Sequence, residues 1–293
     1  MESHDHDRAL IDTCPHRRWA HCKGSNLGYG TAVALPDSYL PPRREPITVD
    51  IPTPARALAI GAHSDDVEYG CGATLAKWAS DGCEIFHLIC TDGSKGTWDL
   101  DVDTDWLIAT RQDEQRRAAA ALGGTSPDHV AFLGYPDGEL DSGLPQRAAV
   151  ALWIRRFQPD VVLGHDPWKP YRIHPDHRHA GLLACEGIVA ARDPKFFPEQ
   201  NIAPHRPSLL LMWEAGEIHH FESADESLTA KANALLAHES QFETTMRIGE
   251  ATDAGERDAF SERIRDAARN AAQEAGNPAG ASAGEVFAAV RRL

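Results

Sequence analysis

The sequence has no apolar run approaching the roughly 18 to 20 residues needed to cross a bilayer. Its opening, MESHDHDRALIDTC, is polar and carries no apolar leader segment. These two absences predict a cytoplasmic protein with no membrane partner. A basic excess is missing as well: 29 Lys and Arg stand against 44 Asp and Glu, a formal net charge of −15. Phosphate backbones and anionic lipids need a basic surface, so this balance argues against nucleic acid as a partner. The short basic run PPRREP (41–46) does not alter it. Cysteine is sparse. Six thiols are scattered through 293 residues, a length that buries a sizeable core without staples, so reduced thiols are expected rather than a disulfide framework. Cys14 and Cys22 lie near His16 and His21, but the spacing matches no zinc knuckle. No Gly-rich phosphate turn follows the first apolar strand. The segment GAHSDD stands there instead, and its carboxylates would repel a pyrophosphate, which sets a nucleotide-binding module aside.

What is present is an alternation. Residues 1–54 are rich in turn-formers and read as an extended N-terminal arm. From residue 56 short apolar segments (RALAIGA, CEIFHLICT, HVAFLGY, DVVLGHD, PSLLLMWE) alternate with helical patterns. The helical patterns are DVEYGCGATLAKWASDG, DWLIATRQDEQRRAAAALGG, PQRAAVALWIRRFQP and PDHRHAGLLACEGIVAARD. Ser223 and Glu226 suggest a capping box for one further helix. Near-continuous apolar strands separated by helices mean βαβ units. The expected fold is therefore α/β, a Rossmann-like doubly wound, mainly parallel sheet with helices on both faces. Residues 55–250 are expected to form the catalytic domain and 251–293 a C-terminal helical extension. Sites in such sheets form beyond the carboxyl ends of the strands. Polar clusters follow four of the strands here, at 63–68, 91–99, 135–141 and 165–177.

The first cluster, AHSDDVE, places His63 and Asp66 three residues apart across a strand-to-helix turn, so both can converge on one point. A borderline-soft cation such as Zn²⁺ accepts imidazole nitrogen and carboxylate oxygen. Asp65 diverges from its neighbour Asp66 and is placed to act as a general base beside a metal-bound water. The bland alternative is an Asp-rich turn that caps its helix. In the fourth cluster, His174 and His177 flank Pro175, which suits the first position of a helix. Both imidazoles then lie on one face of the helix entrance. One of them can complete a three-ligand site, and spacing does not choose which.

On this strand–helix frame, AHSDDVE together with HPDH resembles the PIG-L/LmbE family of zinc-dependent N-acetylglucosamine deacetylases. TDGSKGT (91–97), RQDE (111–114), GYPDG (134–138) and AHESQ (237–241) resemble it further, and the resemblance spans about 55–245. It implies His63, Asp66 and His177 as metal ligands, Asp65 as general base and His174 as stabiliser of the oxyanion. It implies one Zn²⁺ per chain, with Fe²⁺ or another divalent ion fitting the same donors. Ser64 stands where the family motif has Pro, so a looser turn is expected. Tyr171 and Arg172 replace a pattern in which some relatives carry Tyr two residues before the first His of HPDH.

For substrate contacts, Lys95, Trp98, Arg111, Asp137, Trp168 and Arg172 are the candidates. Asp92 and Asp166 are candidate acceptors that orient His174. The remaining histidines, His165, His179, His219, His220 and His238, carry no signal of their own. The implied activity is hydrolysis of an N-acetyl group from an N-acetylglucosamine-type small molecule, releasing acetate and a free amine. The alternatives are a metal-dependent phosphoesterase, which needs more ligands than are evident, and an amidase acting on a non-acetyl conjugate. A homo-oligomer is compatible with the sequence.

Overall fold

The computed structural model describes residues 46–124, 126–249 and 254–293. Most of the expected N-terminal arm, including Cys14 and Cys22, lies outside the described residues. The described chain runs β1 (Thr48–Val49), β2 (Arg56–Gly61), α1 (Asp66–Ser80), β3 (Glu84–Thr91), α2 (Thr104–Leu122) and β4 (Val130–Tyr135). It continues through α3 (Leu144–Phe157), β5 (Val161–His165), α4 (Pro175–Arg192), β6 (Leu209–Trp213) and β7 (His220–Ser223). It ends with α5 (Leu228–Leu235), α6 (Ala254–Glu274) and β8 (Gly284–Val290). No helix among the described residues is long and apolar enough to cross a membrane.

The strands form one sheet in the order β1-β7-β8-β6-β5-β2-β3-β4. Every pairing is parallel except the two that β8 makes with β6 and β7. The apolar strands alternate in the faces they serve. Leu58 and Ile60 of β2 pack with Val150 and Ile154 of α3 and Leu183 of α4, whereas Ala57 and Ala59 face Leu75 and Trp78 of α1 and Ala118 of α2. Each fully buried Leu or Ile contributes roughly 1.5–3 kcal/mol relative to exposure. Helices therefore cover both faces, as the alternation predicts. From β2 the chain winds outward through β3 and β4, then returns to place β5 on the other side of β2. That reversal opens a crevice at the carboxyl ends of β2 and β5.

Local chemistry sets the helix starts. Asp103 caps α2 by accepting from the Asp105 and Trp106 amides, at 3.0 and 3.2 Å. Pro175 opens α4. The expected capping box does not form. Ser223 ends β7 and its hydroxyl donates to the Asp50 carboxylate, while α5 begins five residues later.

The C-terminal segment differs from a helical extension. α6 is present, but β8 inserts between β6 and β7. The reason lies in α1, whose helical path breaks at Cys71 (φ −148°). Glu285 of β8 accepts the Ala73 and Thr74 amides at 3.1 and 2.8 Å. Lys231 of α5 bridges that carboxylate (2.6 Å) to the Tyr69 carbonyl (2.7 Å). The break in α1 is thus satisfied from β8 and α5, which makes β8 part of the same sheet.

Candidate active site

β2 delivers the chain to His63, Ser64 and Asp65, and α1 begins at Asp66. All four residues are buried. Asp65 occupies the N-cap position with φ 95°, in the left-handed region, and makes no side-chain cap bond. The capping alternative therefore does not describe its carboxylate. Asp66 folds back instead, and its Oδ2 accepts the His63 amide at 2.7 Å. Asp66 Oδ2 lies 3.4 Å from His63 Nδ1, and Asp66 Oδ1 lies 3.3 Å from His177 Nε2. The His63 and His177 rings are 5.2 Å apart between centroids. Two donors each about 2.0–2.1 Å from a tetrahedral ion sit about 3.3 Å apart, and each contact taken singly has that length, although the two run to different oxygens of Asp66.

Among the described residues three overlapping donor sets have ligand atoms within 4.8 Å of one another: His63 with His174 and His177, Asp66 with His165 and His177, and His63 with Asp137 and Asp176. The expected set of His63, Asp66 and His177 is not one of these three, and Asp66 meets the two imidazoles through different oxygens. Proton placement separates the sets. His165 Nδ1 accepts the indole N–H of Trp213 at 3.0 Å. Indole only donates, so the proton of a neutral His165 sits on Nε2, which lies 3.2 Å from Asp66 Oδ2. A protonated nitrogen has no lone pair for a metal. His63 Nε2 faces Asp176 Oδ2 at 3.1 Å and Asp137 Oδ1 at 3.2 Å. That places a proton on Nε2, the carboxylate–imidazole arrangement usual behind a metal ligand. Burial works to lower this imidazole's pKa, but its hydrogen bonds to Asp137, Asp176 and Asp66 outweigh it and hold it well above the usual value, so an ion bound at Nδ1 would displace a proton there. Asp176 is itself anchored by the Gly138 and Leu140 amides, at 2.6 and 3.2 Å. His174 stands against both other imidazoles, 4.7 Å from His63 and 4.6 Å from His177 between centroids.

The electrostatics follow from burial and neighbours. Burial raises the Asp65 carboxyl to about 6, Arg111 opposes that rise and Asp66 adds to it. Burial also pushes Asp66 upward, but the His177 and His165 imidazoles outweigh it and hold this carboxyl well below its usual value. His177 is pulled down to about 4, first by burial, which Asp66 opposes and His165 and His63 reinforce, so its ring is neutral near pH 7. Burial likewise lowers His174.

These groups open on a crevice of about 620 Å³. Of the six candidate substrate contacts, Lys95, Trp98, Arg111 and Asp137 line it. Trp168 and Arg172 do not. Trp168 is 64% exposed, and Arg172 stands behind the imidazoles, 2.6 Å from Glu214 Oε2 and within 3.3 and 3.4 Å of the Nδ1 atoms of His165 and His177. Arg111 is also more constrained than a free substrate contact: it donates to the Gly93 and Ser64 carbonyls, both at 3.0 Å. Asp92 and Asp166 do not orient His174. Asp92 accepts the Ser94 and Asp137 amides, and Asp166 accepts those of Trp168 and Gly216, so each ties down a loop. The turn at Ser64 is not loose either, because its carbonyl is held by Arg111.

Sequence reasoning missed several residues. His165 closes β5 with no motif around it, and Asp176 sits unremarked inside HPDH. Gln241 lines the crevice from the end of a 3-10 turn over Glu239–Gln241, and Thr244 and Thr245 line it from the π-helical turn that follows, over Phe242–Met246, a rare element often found at functional sites. The AHESQ segment was the available signal for Gln241.

Residues 58–187 match the PIG-L family, described as GlcNAc-PI de-N-acetylase. The chain is 35% identical to a diacetylchitobiose deacetylase of Thermococcus kodakarensis, covering 64% of this chain and 70% of that protein. It is 30% identical to a 1D-myo-inositol 2-acetamido-2-deoxy-α-D-glucopyranoside deacetylase of Rhodococcus erythropolis, covering 64% of this chain and 81% of that one. The solved N,N'-diacetylchitobiose deacetylase of Pyrococcus horikoshii, in complex with an inhibitor, superposes with a TM-score of 0.70 at 27% identity, over 81% of this chain and 84% of that one. With the doubly wound sheet and the clustered His and Asp side chains at its switch point, these likenesses establish that the chain belongs to the PIG-L family.

Proposed function

We propose that this protein is a metal-dependent N-deacetylase that hydrolyses the acetamide of an N-acetylglucosamine-type sugar or conjugate, releasing acetate and the free amine. The observation that carries this reading is Asp66, whose two oxygens stand at tetrahedral-edge distances from His63 Nδ1 and His177 Nε2, with the Asp65 carboxylate beside them and uncommitted to any cap. His63, Asp66 and His177 would hold the ion, and three protein ligands leave a position open. Zn²⁺ suits the two nitrogens and one oxygen best. When bound, such an ion supplies a water of lowered pKa and Lewis-acid polarisation of the amide carbonyl.

The chain's own residues do the rest. Asp65 accepts the proton of the attacking water. His174, at the helix entrance on the open side of the pair, donates a hydrogen bond to the oxygen on which negative charge develops. Asp65, now protonated, returns the proton to the departing amine. His165 and Asp176 keep Asp66 and His63 in the protonation states the site requires. Lys95, Trp98 and Asp137 line the space for the sugar. The buried free thiols of Cys71, Cys83 and Cys90 are compatible with a cytoplasmic location.

The test is acetate release from N-acetylglucosamine and diacetylchitobiose by the wild type and by Asp65→Asn, with elemental analysis of both. One metal per chain and a rate lost only in the variant support the reading. Two metals per chain with phosphate-ester turnover would replace it with phosphoesterase chemistry.

A further inference from the structure

The Ser64–Asp65 peptide is gripped at both ends from one face of α2. Arg111 donates to its carbonyl at 3.0 Å, and the Gln115 side-chain oxygen accepts its N–H at 3.1 Å. Arg111 and Gln115 are four residues apart, so they project from the same side of the helix, one turn above the other. The gripped peptide leads directly into Asp65, whose φ of 95° is a conformation that side-chain-bearing residues rarely adopt. The orientation of the Gln115 amide is set by its partners. A backbone N–H only donates, so the oxygen faces Asp65, and the amide nitrogen then donates to Glu68 Oε1 at 2.7 Å. Glu68 lies in the first turn of α1, fully buried. His238 Nε2 lies 3.5 Å from its Oε2 and His87 Nδ1 3.7 Å from its Oε1. Thus α2, α1, β3 and the AHESQ segment all converge behind one peptide plane.

We propose that Gln115 is a positioning residue for the catalytic base: by clamping the Ser64–Asp65 peptide opposite Arg111, it holds Asp65 in its left-handed conformation with the carboxylate turned into the crevice. A proline at position 64, as in the family motif, would stiffen the turn covalently, and here Ser64 leaves that task to noncovalent contacts. Gln115 does not line the crevice, whereas Arg111 does. The clamp can therefore be tested through Gln115 without removing a substrate contact. The inference rests on the base role given to Asp65 above.

The experiment is a double-mutant cycle on the metal-loaded protein with Gln115→Met and Asp65→Asn, using diacetylchitobiose as substrate and melting temperature and metal content as controls. Gln115→Met is expected to lower kcat about tenfold, with KM and metal stoichiometry unchanged. In the Asp65→Asn background the same substitution is expected to change the residual rate less than about twofold, because no base remains to be misplaced. Equal fold-losses in both backgrounds, or a loss expressed in KM or metal content, would overturn the proposal and reduce Gln115 to a structural residue. If Gln115→Met does not fold, the smaller Gln115→Ala takes its place, since it also removes the oxygen that accepts from Asp65. It is expected to lower kcat about tenfold with KM unchanged, and an unchanged kcat in a folded protein would overturn the proposal. Failure of the base assignment itself shows separately, as an Asp65→Asn variant that turns over like the wild type.

Discussion

Replacing Asp176 by Asn tests whether the metal site depends on a carboxylate that never touches the ion. Asp176 receives three donors: His63 Nε2–H at 3.1 Å and the Gly138 amide at 2.6 Å on Oδ2, and the Leu140 amide at 3.2 Å on Oδ1. Asparagine has the same shape but one accepting oxygen. If that oxygen keeps His63 and Gly138, the new NH₂ meets the Leu140 N–H and leaves a buried donor unpaired, at a cost of about 1–3 kcal/mol. If it keeps Leu140, the NH₂ meets His63 Nε2, and the imidazole must shift its proton to Nδ1, the nitrogen that faces Asp66. Either way the variant is less stable, by roughly 2–4 °C in melting temperature per kcal/mol for a chain of this size. The loss of the orienting charge is expected to weaken metal binding about 10–100-fold. Competition with a metal indicator dye measures the affinity, and a thermal melt of the metal-free protein isolates the stability term. An Asp176→Asn variant that binds Zn²⁺ as tightly as the wild type would refute the assignment of the His63 proton to Nε2, and with it the choice of donor set.

Other outcomes follow from the same geometry. Asp65 must be ionised to accept a proton, so kcat/KM should rise with pH along an acid limb at or below about 6, since burial raises this carboxyl while a bound cation pulls it down; an acid limb above about 7 would count against Asp65. Dialysis against a chelator should abolish deacetylation, and one equivalent of Zn²⁺ per chain should restore it; full activity in the stripped protein would exclude the metal reading. Lys231→Met leaves Glu285 buried without its cation and should cost about 3–5 kcal/mol of stability, read as a shift in urea midpoint, with kcat of the folded fraction little changed.

The reactive residues that lie within one turn of each other were legible in the sequence. His63, Asp65 and Asp66 share one strand-to-helix turn, and His174 and His177 share one helix entrance. Covalent spacing limits how far such side chains can stray, so their convergence could be read before any fold was known. The βαβ rhythm was equally local: near-continuous apolar strands such as LAIGA and VVLG can only be buried on both faces. β8 was not legible, because GEVFAAV is short, follows a long Ala-rich helix and owes its place to Glu285 meeting a break in α1 that has no sequence signature.

The rest of the site depended on which strands became neighbours. His165 comes within 3.2 Å of Asp66 only because β5 pairs with β2 across a gap of about a hundred residues. Asp176 reaches His63, and Gln115 reaches Asp65, through the same packing of α4 and α2 against that sheet. Residue types and local spacing by themselves determined that a cation, an imidazole pair and a free carboxylate belong together in this protein. Which nitrogen of each imidazole carries a proton, and what contacts Asp65 at its left-handed turn, was decided by partners distant in sequence, since a hydrogen bond constrains only groups that the tertiary fold has already brought within about 3 Å.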